Sequence, residues 1–267
     1  MYSVGLVGAG NMGRAMVAAW IDSGVLESND VGVVDKDLGR ARLLEREKGV
    51  TVVESIAELA SEASTVVLAV KPQDSAGVLA EMKGRIGPAQ VLMSIAAGLT
   101  VDNIRRAVGP EPCIVRVMPN MGAMVRAAAS GFTVSSGTGE CDTGTAREML
   151  SAIGEAVEVE ESLMDLVTAV SGSGPAYFFY LTEALEKAAV ELGMPAETAG
   201  LLARETLWGA AKTVKETGSD PGALRRAVSS PGGTTLAALE RMDSGGFSEM
   251  IAGAVDAARR RAAELAD

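Results

Sequence analysis

The sequence predicts an α/β protein, with an N-terminal Rossmann-type doubly wound parallel sheet followed by a C-terminal all-helical dimerisation domain. Three observations carry this expectation. Short β-branched runs alternate with amphipathic helical stretches as far as residue 160. A glycine-rich turn of the form GxGxxG follows the first of those runs. Beyond residue 160 no strand pattern remains and long helical periodicities take over. Strand–helix alternation of this kind gives parallel strands covered on both faces by their crossover helices.

The elements follow in order. Residues 4–7, 31–34, 65–70 and 91–95 read as buried parallel strands, each an apolar, β-branched run bounded by Gly, Asp, Lys-Pro or Ala-Gly. Amphipathic stretches lie between them at 12–23, 38–48, 55–61 and 75–83, and further strand-like pieces at 113–117, 132–134 and 156–159. Helical periodicity then runs through 176–192, 196–215, 223–228 and 247–265. Gly193-Met194-Pro195, Gly218-Ser219-Asp220-Pro221 and Ser229-Ser230-Pro231-Gly232-Gly233 punctuate these helices. The expected domain boundary therefore falls at residue 160, with residues 1–160 as the α/β domain and 161–267 as the helical one. The second set of helices carries apolar residues around much of its circumference, which favours a homodimer over a self-contained bundle.

Composition narrows the function classes. The net charge of −11 opposes nucleic acid and anionic membrane surfaces as partners. No apolar run reaches the ~20 residues of a membrane span, and the N-terminus enters a strand at once without a leader pattern, so a cytoplasmic protein is expected. The chain has no histidine, which excludes a Ser-His-Asp triad, a Cys-His pair and His-ligated zinc. Cys113 and Cys141 lack CxxC spacing, so no metal site is expected and both read as reduced packing residues. Acid–base work falls to hydroxyls, carboxylates, lysines or water.

The motifs say what chemistry remains. In Gly8-Ala9-Gly10-Asn11-Met12-Gly13, the first glycine permits a tight turn, the second a close approach of a pyrophosphate and the third close helix–strand packing. Asp35 stands 22 positions beyond Gly13, near the ~20 expected of a residue that bonds the adenosine ribose hydroxyls. That spacing leans toward NADH, whereas Lys36, Arg40 and Arg14 nearby are suited to the 2′-phosphate of NADPH, and Asp35 and Asp37 also suit simple helix capping. Ala69-Val70-Lys71-Pro72-Gln73 and Ser94-Ile95-Ala96-Ala97-Gly98 leave their strands at the carboxyl edge, where doubly wound sheets bind ligands. Ser171-Gly172-Ser173-Gly174-Pro175-Ala176-Tyr177 and Ser229-Ser230-Pro231-Gly232-Gly233-Thr234-Thr235 each open a helix. Ser230 or Thr234 would serve as an ordinary N-cap there, yet such N–H-rich helix starts can also hold a carboxylate in an acidic protein.

The combination GAGNMG, AVKPQ, SIAAG, RVMPN, SGSGPAY and SSPGGTT, in this order and spacing, resembles the pyrroline-5-carboxylate reductase family over residues 4–247. The resemblance implies a Rossmann domain with NADPH or NADH, bound by Gly8 to Gly13, Asp35, Lys36, Ala69 to Pro72 and Ala96 to Gly98. It implies a helical domain that interlocks with a second subunit, in dimers that often assemble into decamers. It implies a small imino acid substrate whose carboxylate is held by Ser230, Gly233, Thr234 and Thr235, with Asn120 alongside. Thr235 matches the threonine assigned to the ring nitrogen, and so to catalysis. One departure stands out: the family usually reads Asn-Thr-Pro where this chain reads Asn120-Met121-Gly122.

Three other readings bear on the same residues. A β-hydroxyacid dehydrogenase-like enzyme would place a lysine early on the long helix, but the first lysine after Ser171 is Lys187. A reductase of another cyclic imino acid, such as the six-membered homologue, differs only in pocket shape. A dinucleotide-binding protein without catalysis is opposed by the intact SSPGGTT loop.

Overall fold

The computed structural model of the chain describes residues 1–135, 137 and 143–265. Its elements are β1 (Tyr2–Val7), α1 (Asn11–Asp22), β2 (Val31–Val34), α2 (Leu38–Lys48), β3 (Thr51–Val52), α3 (Ile56–Glu62), β4 (Ala63–Leu68), α4 (Pro72–Met82), β5 (Val91–Ser94) and α5 (Val101–Val108). They continue with β6 (Cys113–Met118), β7 (Ala128–Ser135), α6 (Gly144–Ile153), β8 (Gly154–Glu158), α7 (Met164–Val167), α8 (Gly174–Glu191), α9 (Ala196–Thr217), α10 (Pro221–Ala227), α11 (Thr234–Ser244) and α12 (Phe247–Glu264). Helix starts use the expected chemistry: Ser55 accepts from the Glu58 N–H, Asp37 from Gly39 and Thr100 from Asn103.

The eight strands among the described residues form one sheet, in the order β3-β2-β1-β4-β5-β6-β7-β8. Its register shows why the strands read as continuous apolar runs. Leu92 points into one core layer with Leu59, Leu79, Met82 and Ile114, while its neighbour Met93 points into the other with Met16, Leu44, Phe132 and Leu150. Successive side chains alternate faces, and both faces are buried, so there is no polar alternation to see. Trp20 on α1 is fully buried in the second layer and its indole N–H donates to the Met149 carbonyl at 2.9 Å.

The structure departs from the expectation in several places, and it adds α5 and α6, which no amphipathic stretch marks. β3 is a strand of two residues that no pattern marks. β7 pairs antiparallel with β6, and β8 runs parallel to β7, so the sheet is mostly rather than wholly parallel. Between β8 and α8 the chain forms α7 and a wider turn, in which the Ser173 N–H donates to the Thr168 carbonyl at 2.8 Å. This stretch is tied to the sheet by Arg116, a buried residue of β6 paired with Glu161 at 3.1 Å and with Asp165 at 3.7 Å. Cys113, expected as a reduced packing residue, is buried but disulfide-bonded, so that expectation does not hold; Cys141 lies outside the described residues.

The chain divides into two compact units. Residues Met1–Ser173 and the chain from Ala258 on form the first, and Gly174–Ala257 the second. The division falls at Ser173, later than the residue 160 at which strand patterning ends. Within the second unit, α8 and α9 pack on one another, and the buried positions are the small residues Gly174, Ala199, Gly200 and Ala203. Phe178, Phe179, Tyr180, Leu201, Leu202 and Trp208 are each more than half exposed. Among the described residues no helix is long and apolar enough to cross a membrane.

Candidate functional site

The carboxyl edge of the sheet carries a cleft of about 870 Å³. The turn after β1 builds its floor. Gly8 has φ +106°, and a Cβ there would sit 2.6 Å from the Ala69 carbonyl oxygen, so only glycine lets the loop lie against β4. A Cβ on Gly13 would come within 2.2 Å of the Gly8 carbonyl oxygen, whereas nothing lies within 4 Å of one on Gly10. Two glycines thus close the turn and the third leaves a bare backbone facing open space. Gly10 is the N-cap of α1 with no side-chain cap bond, which leaves first-turn N–H groups and the positive helix end for an anion.

Gly8, Ala9, Gly10, Asn11, Met12, Asp35, Lys36, Ala69, Val70 and Lys71 all line this cleft, as the motifs suggest. Gln73, Asp74 and Pro119 line it as well. Gln73 closes the AVKPQ motif, and Asp74 follows it as part of the first turn of α4. The other cofactor candidates sit behind the lining. Gly13 packs under the loop, Pro72 is a first-turn residue of α4 and Ala96 is buried. Ala97 is likewise outside the lining, where Ile95 represents that turn. Gly98 has φ +77°, and a Cβ there would lie 2.6 Å from the Leu265 carbonyl oxygen, so its bareness serves the end of the chain.

Asp35 is held in place by the backbone. The Ala9 N–H donates to its Oδ2 at 2.6 Å and the Asp37 N–H to its Oδ1 at 2.8 Å. Three of the cations lining the cleft are paired: Lys36 with Asp74 at 2.9 Å, Arg40 with Asp37 at 3.3 Å and Arg14 with Glu47 at 2.8 Å.

Asn120, at the end of β6, spends its side chain on the protein. Its Nδ2 donates to the Ser171 carbonyl at 2.9 Å, and its Oδ1 accepts from the N–H groups of Gly122 at 3.0 Å and Ala129 at 3.3 Å. It therefore fixes the 121–125 turn and the start of the SGSGPAY segment together.

The second hydroxyl-rich loop belongs to the helical unit. Gly232 adopts φ +71°, the Gly233 N–H donates to the Ser230 carbonyl at 3.0 Å, and Gly233 is the N-cap of α11. Neither Ser230 nor Thr234 supplies the cap that a purely local reading expects, since no side chain caps this helix. Thr234 and Thr235 are its first two residues, so their N–H groups and hydroxyls stand at a positive end.

The chain is 38% identical to a pyrroline-5-carboxylate reductase of Methanosarcina acetivorans, over 98% of this chain and 97% of that one. The chain belongs to the pyrroline-5-carboxylate reductase family. The family's dimerisation model matches residues 161–265, and a model described as NADP oxidoreductase, coenzyme F420-dependent, matches residues 3–98. A solved pyrroline-5-carboxylate reductase from Coxiella burnetii superposes with a TM-score of 0.93 at 35% identity, covering 100% of this chain and 99% of that one. A Plasmodium falciparum pyrroline carboxylate reductase with NADP bound gives 0.84 at 27% identity, covering 100% and 98%.

Membership makes the Met121-Gly122 departure legible. The Gly122 N–H is one of the donors to Asn120, and a Cβ at 122 would lie 2.4 Å from the Ala127 carbonyl oxygen. A proline there has no N–H to give and a ring where this turn has no room. The glycine thus accompanies a tighter 121–125 turn, leaving the Met121 side chain largely exposed.

Proposed function

We propose that the chain is a pyrroline-5-carboxylate reductase that uses NADH or NADPH to convert 1-pyrroline-5-carboxylate into L-proline. The observation that carries this reading is similarity to such reductases along the whole chain, from the glycine-rich turn to the last helix. The bare Gly10 and the uncapped start of α1 fit a dinucleotide pyrophosphate. A reduced nicotinamide, when bound, supplies the hydride.

The chain's own residues bind, orient and polarise. Asn11 and Met12 N–H groups hold the pyrophosphate, and the AVKPQ and SIAAG turns shape the rest of the cofactor site. Ser230, Gly233, Thr234 and Thr235 cradle the substrate carboxylate through N–H and hydroxyl groups, a charge-assisted arrangement that needs no histidine. The Thr235 hydroxyl donates to the imine nitrogen, drawing electrons from the carbon that receives hydride. Asn120 serves the substrate side by fixing the turn that it caps. The functional division assigns 1–160 to the dinucleotide and 161–267 to substrate and dimerisation. The enzyme works in the cytoplasm as a homodimer, and its dimers associate into a decamer.

The test is loss of the reduced-nicotinamide absorbance on adding pyrroline-5-carboxylate. Thr235→Ala should lower turnover by about 100-fold while dinucleotide affinity holds. Unchanged turnover would remove Thr235 from the mechanism, and no oxidation with either cofactor would remove the reading itself.

A further inference from the structure

We propose that Arg116 is a positioning residue for hydride transfer, holding the nicotinamide end of the cleft in place, an inference that rests on the reductase reading above. The cleft follows the carboxyl edge of the sheet. It starts at Asp35 beyond β2, passes Gly8 beyond β1 and Ala69 beyond β4, and ends at Ile95 beyond β5 and Met118 and Pro119 on β6. A dinucleotide with its adenosine ribose at Asp35 and its pyrophosphate at the glycine turn carries its nicotinamide to that last end. Arg116 stands two residues before Met118 on β6 and is only 5% exposed. It lies behind the lining, so whatever it contributes passes through its neighbours.

Those neighbours reach both walls of the nicotinamide end. The Arg116 guanidinium donates from Nη1 to Glu161 Oε1 at 3.1 Å, and its Nη2 faces Asp165 Oδ1 at 3.7 Å. The same Glu161 oxygen accepts the Val101 N–H at 2.8 Å, where α5 starts three residues after the SIAAG turn. Further along β6, Met118 packs over Gly172, where a Cβ would lie 2.6 Å from its Cε, and Asn120 donates to the Ser171 carbonyl at 2.9 Å. Gly131 pairs with Met118 from β7, and a Cβ there would lie 2.5 Å from Val167 Cγ1. Residues 161–172 are thus pressed onto β6 and β7 around Met118, and Arg116 links them to the start of α5 as well. A guanidinium cannot shed its charge, and a buried charge without its partners is far costlier than the pair. A shift of the 161–165 stretch is therefore passed to Met118 through Gly172 and to the SIAAG turn through Val101. Apolar residues of similar volume often hold such a buried position as stably as an ion pair, so what the charge supplies is placement.

The experiment compares full-length parent, Arg116→Met, Glu161→Ala and Glu161→Gln in two measurements. One is the single-turnover rate of hydride transfer to pyrroline-5-carboxylate, identified by its deuterium isotope effect. The other is calorimetric binding of ADP-ribose, which lacks the nicotinamide and reports the adenosine end alone. Arg116→Met should slow hydride transfer by about 100-fold, the cost of about 1 Å of misplacement at the reacting atoms, and bind ADP-ribose as the parent does. Glu161→Ala leaves Arg116 its Asp165 and should slow transfer by about tenfold, the worth of one hydrogen bond to a charged group. Glu161→Gln, which keeps an oxygen for both donors, should restore most of that loss. Parental hydride transfer in Arg116→Met, or in Glu161→Ala where the first variant does not fold, overturns the inference. Loss of ADP-ribose binding in step with the rate also overturns it, because that marks a general loosening of the fold. Both results leave the reductase reading intact. A parent protein that oxidises neither dinucleotide with pyrroline-5-carboxylate overturns that reading and the inference with it.

Discussion

The two units of this chain bury their apolar residues in opposite ways. In the first, large side chains such as Trp20, Met16, Leu59 and Met93 are fully enclosed between sheet and helices. In the second, the enclosed positions are glycines and alanines, while phenylalanines, leucines and Trp208 face outward. A core of small residues cannot offset the conformational entropy of ordering the helices of that unit. Large apolar patches on a folded surface mark contact with another chain. The lesson is that hydrophobic content alone does not say where a core is: one unit completes its own, and the other holds half of one.

Breaking that contrast should produce the largest effect. The double substitution Phe179→Glu and Trp208→Glu should weaken self-association by about 1000-fold, equivalent to losing two aromatic hot spots. Sedimentation would then report monomer with reduced helix content, while the first unit keeps its thermal transition. A variant that still sediments as a dimer at low concentration would show that these faces are not the interface. Next in size, Leu59→Ala removes a fully buried side chain between β1, β2 and α3 and should cost about 3 kcal/mol. Denaturant titration at several protein concentrations would check it, because this loss should not depend on concentration. The smallest effect separates structure from binding within the first unit. Gly10→Ala meets no neighbouring atom and should leave the melting temperature within about 2 °C, since Ala restrains the unfolded chain. Dinucleotide affinity should still fall by about tenfold, as its methyl projects where the pyrophosphate must approach. Gly13→Ala, with its 2.2 Å clash against backbone, should lower stability and binding together.

Much of this arrangement is legible in the sequence, and the limits have physical causes. The glycine turn and Asp35 are readable because backbone approach and ribose binding demand particular residues at particular distances. The helix start at Ser55 is readable because a cap is a local bond, whereas α5, capped by Thr100, matches none of the amphipathic stretches that the sequence marks. The direction of β7 is not, because a strand buried on both faces has the same apolar run whichever way it points. Two-residue β3 is too short to have a period. Asn120 reads as a substrate residue from its motif, yet its partner carbonyl at Ser171 is 51 positions away and no local pattern announces it. The cap of α11 goes the other way: the sequence offers two good capping side chains, and the turn uses Gly233 instead.

The placement of the two tryptophans, Trp20 and Trp208, has an optical consequence. Trp20 is sealed in the first unit with its indole N–H bonded to a carbonyl, and Trp208 is 62% exposed in the second. Each unit therefore carries one emitter, in an apolar environment in one case and in water in the other. A Trp208→Phe protein would fluoresce from the first unit alone, at the blue end of the range. A Trp20→Phe protein would emit red as a separated subunit and shift blue as the aromatic face becomes covered, so spectra of the two variants against dilution would follow folding and pairing as separate colours.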